Sequence, residues 1–295
     1  MTFSARVALF KSVGWVLESL PERFDVTLAQ RMAVIIGRRS TTARSHLRRN
    51  LDHALRPIGH ETSLEMLEHF VNRAFASYGQ YWAEGAKLPA IDPPEVFRRF
   101  RIAEGLEHLE DARDLGTGTV IALPHIGSWE WGGSYLNSLG MGMTAVAEDL
   151  EPPELFEWFK QKRQSIGIRI EPLDSQAGTV LLQTLKSGGV VGLLCDRDIQ
   201  NNGVEVTFFG ERVTLPAGPA TLALRTGATL VAAACYSGPG RDHFAVITPP
   251  IEVRREGRLR DDVTRTTQLI ANELEDLIRR APEQWHVLQP RFDLA

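Results

Sequence analysis

The stretch TVIALPHIGSWEWGGSYLNSL, residues 119–139, decides the fold. Its first five residues, Thr119–Leu123, predict a buried strand, and the pattern over Ser128–Leu139 predicts a helix. Pro124 ends the strand because it has no backbone N–H, and Gly127 permits a tight turn between the two elements. A buried strand that leads directly into a helix is the unit from which parallel α/β sheets are built.

The same alternation continues along the chain after this stretch. The six predicted strands are Thr119–Leu123, Met143–Ala147, Gly167–Glu171, Val190–Cys195, Thr229–Tyr236 and Phe244–Thr248. The predicted helices are Ser128–Leu139, Pro152–Ile166, Thr179–Ser187, Ala217–Thr226 and Asp262–Arg280. Because strands alternate with helices, we expect an α/β fold, a mainly parallel sheet covered by helices on both faces.

The first hundred residues have a different pattern, since their apolar residues recur at helical spacing. The predicted helices cover Phe3–Leu20, Leu28–Gly37 and about Thr62–Trp82, with a basic stretch after the second. No linker or internal repeat is visible. Residues 1–295 are therefore predicted to form one domain, with a mostly helical N-terminal part (1–100) and an α/β core (101–295).

Composition and charge exclude several classes of protein. The 295 residues carry 33 Lys and Arg against 37 Asp and Glu, a net charge of −4, whereas a nucleic-acid binder usually has a clear positive charge. The most apolar N-terminal run, residues 7–20, is interrupted by Lys11 and Glu18 and is shorter than a membrane span. With no signal peptide either, the chain is predicted to stay in the cytoplasm. Cys195 and Cys235 lie in apolar runs and are predicted to be reduced core thiols, so no metal site is expected.

His125 is the first candidate for chemistry. It follows a buried strand, at the sheet edge where open α/β folds place their sites. If His125 lies on the turn before the helix, Glu130 can accept from one imidazole nitrogen while the other acts as a general base. The alternative is a structural histidine held by hydrogen bonds. His60 and Glu65 have the same spacing, but their polar surroundings predict a surface position.

A second candidate group follows the strand Val190–Cys195. Asp196 and Asp198 flank Arg197 at the carboxyl edge of the predicted sheet. Buried carboxylates are costly unless they are paired or solvated. These residues either serve the same cleft as His125 or form a solvated, salt-bridged loop. The helix that follows, near Ala217, presents free N–H groups that favour anions.

Together these residues resemble a known enzyme family. The segment Leu123–Glu130 resembles the block of His, four residues and Asp or Glu that marks the bacterial lipid A biosynthesis (lauroyl/myristoyl) acyltransferase superfamily. Further matching pieces occur in the same order, at residues 76–78, 81–82, 163–167, 196–198, 208–210, 215–220 and 282–290. Within the superfamily the chain is similar to the actinobacterial branch that acylates phosphatidylinositol mannosides.

The resemblance implies a reaction and its catalytic residues. A long, palmitoyl-like chain would move from acyl-CoA onto a mannose hydroxyl of a glycolipid acceptor, directly and without an acyl-enzyme. His125 would be the general base. The two catalytic acids would be Asp196 and Glu130, and which of them is the main partner of His125 stays open. No cofactor is implied apart from acyl-CoA as donor substrate.

Further positions follow from the same resemblance. Glu148 and Arg163 match a charged pair beside the site. The residues expected to hold substrate are Arg163, Arg197, Asp198, Asn202 and Arg225. Alternative functions are an acyltransferase of this fold with another glycolipid or phospholipid acceptor, an acyl-CoA thioesterase, and an inactive lipid-binding protein.

The resemblance also implies a peripheral position on the cytoplasmic face of the inner membrane. A local basic face would let a protein of net charge −4 approach an anionic membrane surface. Its candidates are Arg38, Arg39, Arg44, Arg48 and Arg49, joined by Arg98, Arg99 and Arg101. A solvated helix face explains the same arginines. The segment Phe3–Leu20 either lies in the membrane interface or packs on the core.

Overall fold

The computed structural model describes residues 3–56, 63–148 and 151–292. The N-terminal part contains α1 (Phe3–Ser19), α2 (Glu22–Arg39), α3 (Thr41–Leu55), α4 (Leu64–Lys87) and α5 (Pro93–Arg99). Helix α3, which covers much of the basic stretch, was not predicted as a helix. His60 and the predicted helix start at Thr62 lie outside the described residues.

The α/β core begins at the end of α5. Its elements are β1 (Phe100–Glu104), α6 (Leu106–Asp114), β2 (Thr119–Leu123), α7 (Trp129–Ser138), β3 (Met143–Ala147), α8 (Pro153–Ser165), β4 (Arg169–Pro172), α9 (Ala177–Lys186), β5 (Val190–Leu194), β6 (Val204–Phe208), β7 (Glu211–Leu215), α10 (Gly218–Thr226), β8 (Thr229–Ser237), β9 (His243–Ile247) and α11 (Leu259–Arg280). A short 3-10 turn, Pro282–Gln284, leads into the C-terminal segment.

Seven of these strands form one sheet in the order β1-β9-β8-β2-β5-β3-β4. Its pairs are parallel except for the antiparallel contact of β8 with β9. The strands β6 and β7 form a separate antiparallel hairpin. The predicted α/β class with a mainly parallel sheet is therefore confirmed.

Both faces of the sheet are covered. Along β2, Val120 and Ala122 join a core cluster with residues of α9, α10 and α11. The alternate residues, Ile121 and Leu123, join a second cluster with residues of α6, α7 and α8. Since successive side chains of a strand point to opposite faces, the central strand is apolar throughout.

The register of the two central strands positions the candidate site. Leu123 of β2 pairs with Leu194 of β5 in a parallel ladder, and the Cys195 N–H donates to the Leu123 carbonyl at 2.9 Å. His125 and Asp196 each stand two residues beyond this last pair. The sheet therefore delivers both to the same edge.

A buried cluster of charged groups ties α2 to α4 and to the turn before β9. Asp25, which has no exposed surface, lies 2.8 Å from the Lys87 ammonium and also pairs with Arg241. Glu84 lies in the same region, where its Oε1 accepts from the Gln80 amide at 2.8 Å. Burial raises the pKa of Glu84 from its ordinary 4.5 to about 7.

Replacing Glu84 with glutamine is expected to stabilise the protein above pH 7 and to have little effect at pH 5. Between pH 4.5 and about 7 the native Glu84 keeps its proton while the unfolded chain has lost it, so wild-type stability falls as pH rises through that window. The free energy of unfolding of the wild type falls by about 3 kcal/mol once the Glu84 carboxyl ionises in the native protein. Denaturant unfolding of wild type and Glu84→Gln at pH 5 and pH 8 measures it.

The matched control for this experiment is Glu107→Gln, a substitution at an exposed position of α6. Its free energy of unfolding is expected to stay within about 0.5 kcal/mol of wild type at both pH values. A stability difference between wild type and Glu84→Gln that is the same at pH 5 and pH 8 would contradict the raised pKa.

Candidate active site

His125 and Asp196 form a closely bonded pair at the carboxyl edge of the sheet. Asp196 Oδ1 lies 2.5 Å from His125 Nδ1, and Asp196 Oδ2 accepts from the His125 backbone N–H at 3.0 Å. The carboxylate is fully buried, while the imidazole is partly exposed. His125 therefore has one ring nitrogen held by a carboxylate and the other free of that contact, as a general base requires.

A third group completes the surroundings of Asp196. The Trp285 indole N–H donates to Asp196 Oδ2 at 2.7 Å. Burial opposes the charged form of the carboxyl, but the His125 imidazole and these N–H donors outweigh it and hold the pKa of Asp196 at about 2. Asp196 is therefore ionised throughout the physiological pH range and stabilises an imidazolium at His125.

Glu130 occupies a different position from the one expected for a partner of His125. It lies in the first turn of α7, where its Oε1 accepts from the Tyr81 hydroxyl at 2.9 Å and from Arg163 at 3.2 Å. Its other oxygen, Oε2, is buried without a hydrogen-bond partner among the described residues. Glu130 thus orients Arg163 and Tyr81, whereas Asp196 contacts the His125 ring.

Arg163 lies within a cage of one carboxylate and two aromatic rings. Its guanidinium is 5.1 Å from the ring centroid of Trp129 and 5.8 Å from that of Phe159. The nearby Glu130 carboxylate raises the pKa of Arg163 despite its burial. Glu148 and Arg163 both line the same cavity, but the carboxylate that pairs with Arg163 is Glu130.

The His125 ring opens onto a cavity of about 640 Å³. Its apolar lining residues include Ile170, Leu181, Leu182, Leu193 and Leu222. Polar and charged residues line it as well. All of the residues predicted to hold substrate belong to this lining, namely Arg163, Arg197, Asp198, Asn202 and Arg225.

Two of these residues are cations without an acidic partner. Among the residues that the structure describes, no carboxylate lies within ion-pair distance of Arg197 or Arg225, and the first turn of α10, Gly218 and Pro219, lines the cavity as well. Free cations and a helix N-terminus favour an anionic ligand. Asp198 shapes its own loop, where Oδ2 accepts from the Gly203 N–H at 2.9 Å.

Some arginines of the predicted basic face form ion pairs with acidic residues of the described chain, and others do not. Arg44 and Arg48 both pair with Glu68, and Arg98 and Arg99 both pair with Glu95. Arg38 and Arg39, at the end of α2, are exposed. They stand at the end of an exposed apolar stripe on the same helix, made up of Phe24, Leu28, Met32, Ile35 and Ile36.

The described residues contain neither a membrane-spanning helix nor a cluster of metal ligands. No helix over 3–56, 63–148 or 151–292 is long and apolar enough to cross a membrane. Within the same ranges, no group of three or more His, Cys, Asp or Glu side chains is arranged to hold a metal ion.

Comparison with known proteins places the chain in a family. The chain belongs to the bacterial lipid A biosynthesis acyltransferase family, whose model matches residues 3–293, and it is an acyltransferase of that family. A phosphatidylinositol mannoside acyltransferase of Mycobacterium tuberculosis (strain ATCC 25618 / H37Rv) is 37% identical over 220 residues, which are 73% of this chain and 68% of the relative.

Two further relatives cover more of the chain. The phosphatidylinositol mannoside acyltransferase of Mycolicibacterium smegmatis is 32% identical over 303 aligned positions, 99% of this chain and 95% of the relative. A lipid A biosynthesis acyltransferase of Haemophilus influenzae is 23% identical over 272 positions, 91% of this chain and 81% of the relative. The family resemblance inferred from the sequence motifs is therefore confirmed.

Proposed function

We propose that this acyltransferase moves a long acyl chain from acyl-CoA to a mannose hydroxyl of a phosphatidylinositol mannoside, with His125 as general base. The observation that carries the proposal is the His125–Asp196 pair on a cavity whose lining includes both leucines and arginines without an acidic partner among the described residues. The names of the mycobacterial relatives supply the acceptor class.

The bonded pair defines the chemical step. Asp196 accepts the Nδ1–H of His125, which leaves Nε2 as the basic nitrogen. Nε2 takes the proton of the mannose hydroxyl as its oxygen attacks the thioester carbonyl. The C–S bond then breaks, and the departing CoA sulfur takes the proton back from the imidazolium. The acyl chain passes directly to the sugar, so the protein carries no covalent intermediate, and no cofactor enters the step.

The cavity supplies matching places for the donor. The leucines of the lining bury an acyl chain, since burial of each CH₂ group contributes about 0.8 kcal/mol. Arg197 and Arg225, unpaired among the described residues, supply cations for the phosphates of CoA, and the first turn of α10 supplies free N–H groups. Asn202 adds an amide to the same lining.

The exposed stripe on α2 supports a peripheral position on the membrane. Ile36 and Phe24 are 61% and 53% exposed, and the stripe ends beside Arg38 and Arg39. An apolar helix face next to cations is the arrangement by which peripheral proteins bind anionic bilayers. We place this face on the cytoplasmic leaflet of the inner membrane, where the lipid acceptor would lie.

Mass spectrometry tests donor and acceptor together. Purified protein is incubated with palmitoyl-CoA and a polar lipid extract from an actinobacterium, with a boiled sample as control. The expected result is a mannosylated phosphatidylinositol that gains one palmitoyl mass. Release of CoA without mass gain in any lipid would replace the proposal with a thioesterase, and mass gain in an unmannosylated lipid would replace the acceptor.

A further inference from the structure

Aromatic rings form one wall of the cavity. Tyr78, Tyr81 and Trp82, from α4, and His286, from the C-terminal segment, all line it. The ring centroids of Tyr78 and Tyr81 lie 5.5 and 5.4 Å from that of His286. Trp82 stands nearly perpendicular to Tyr78, at 5.9 Å. These four residues form the aromatic wall of the cavity.

The aromatic wall is attached directly to the residue that acts as base. The backbone N–H of His286 donates to the His125 carbonyl at 2.7 Å. The preceding residue, Trp285, donates to Asp196, so two successive residues of the C-terminal segment hold the His125–Asp196 pair. A molecule resting on the aromatic wall therefore lies beside His125.

The aromatic wall also carries hydrogen-bonding groups that have no place in the proton transfer. His286 Nε2 and Ser77 Oγ lie 2.9 Å apart. Burial, together with the charge of a protonated His125, lowers the pKa of His286 to about 3. Burial raises the pKa of Tyr78. At neutral pH these groups are therefore uncharged, and they interact with a ligand by hydrogen bonding and ring contact.

This combination fits a sugar ring better than an acyl chain or a phosphate. A pyranose has a face of C–H groups, which is attracted to the negative face of an aromatic ring, and a rim of hydroxyls that need hydrogen-bond partners. The leucine side chains of the cavity lining offer no such partners. The cations Arg197 and Arg225 attract charge instead.

We infer that the aromatic wall is the subsite that holds the acceptor's mannose ring and turns one hydroxyl toward His125. The inference rests on the proposed function, since it takes the acceptor to be a mannoside. Tyr78 contributes ring contact, and the His286 ring, which Ser77 orients through its hydroxyl, contributes a hydrogen-bonding nitrogen. These residues determine acceptor specificity.

Two simple acceptors separate sugar recognition from the transfer step. Decyl α-mannoside and decanol carry the same alkyl chain, and only the first has a sugar ring. For each protein variant the kcat/KM for palmitoyl transfer is measured with both acceptors, and the ratio of the two values gives the selectivity for the sugar. A general structural defect lowers both values and leaves their ratio unchanged.

The expected results distinguish ring contact from hydrogen bonding. Tyr78→Leu is expected to lower the selectivity ratio about tenfold, while Tyr78→Phe, which keeps the ring, stays close to wild type. Ser77→Ala is expected to lower the ratio about tenfold, because the His286 ring loses the hydroxyl that orients it beside the sugar. Ser77→Ala removes one oxygen atom, so it tests the subsite even if Tyr78→Leu fails to fold.

Two outcomes would overturn the inference, and they differ in what else they overturn. A selectivity ratio unchanged in Ser77→Ala, and in Tyr78→Leu where it folds, would remove the aromatic wall as the sugar subsite and leave the proposed function standing. A wild-type protein with equal kcat/KM for decanol and for decyl α-mannoside would overturn the proposed function together with the inference.

Discussion

Replacing His125 with alanine is expected to reduce acyl transfer by about 10²–10⁴-fold or more, which is the contribution of a general acid–base group. The fold is expected to survive, because Asp196 keeps two donors, the Trp285 indole and the backbone N–H of residue 125. Single-turnover transfer of radiolabelled palmitate measures the loss, and thermal unfolding checks the fold.

His69→Ala is the matched control for this substitution. His69 lies on an exposed face of α4, away from the cavity lining, so its removal is expected to leave transfer unchanged. If His125→Ala retained near-normal turnover, the mechanism would be wrong, and His125 would be the structural histidine that the sequence also allows.

Replacing Asp196 with asparagine is expected to reduce transfer at least about a hundredfold. The carboxylate accepts the Nδ1–H of His125 and so keeps Nε2 free to take a proton. An asparagine amide that donates to Nδ1 stabilises the opposite tautomer, in which Nε2 carries the hydrogen. The substitution also removes the negative charge that stabilises the imidazolium.

Two other variants show how much the residues near Asp196 contribute to acyl transfer. Trp285→Phe removes one hydrogen bond and leaves the charge, so the expected loss is smaller than for Asp196→Asn. Glu130→Gln acts through Arg163 and Tyr81 rather than through the His125 ring, and a smaller loss is expected there as well. A loss below tenfold in Asp196→Asn, with a larger one in Glu130→Gln, would make Glu130 the important acid.

The strands that carry the site could be predicted from the sequence because they are buried on both faces. The predicted bounds of β2 and β3 agree with the structure residue for residue, and β5 ends one residue earlier than predicted. Each is a short, continuous apolar run, the pattern of a strand buried on both faces. The strands β1, β6 and β7 are not among the predicted ones, because exposed residues interrupt their apolar pattern.

The partner of His125 could not be chosen from the sequence, because the choice depends on strand register. Glu130 is close along the chain, while Asp196 is 71 residues away and shares an edge with His125 only because β2 pairs with β5. The shorter side chain of Asp196 reaches the His125 ring because both residues stand two positions beyond the last pair of the β2–β5 ladder. Pairing of this kind is a tertiary property that local spacing does not encode.

The aromatic wall could not be predicted from the sequence for the same reason. Its three α4 residues lie in a helix predicted from periodicity, but the contact of Ser77 with His286 joins positions 209 residues apart. The ion pairs that occupy part of the predicted basic face depend on tertiary contacts in the same way. Arg44 and Arg48 are both on α3, and the acid that neutralises them, Glu68, lies on α4.

Intact-protein mass spectrometry during turnover tests most directly whether the acyl chain passes to the acceptor without an acyl-enzyme intermediate. The protein is mixed with palmitoyl-CoA, sampled, and then given the mannosylated lipid acceptor. The mechanism predicts an unmodified protein mass before and after the acceptor is added, with the palmitoyl mass appearing only on the lipid. A protein that gains one palmitoyl mass and loses it again when the acceptor arrives would contradict direct transfer.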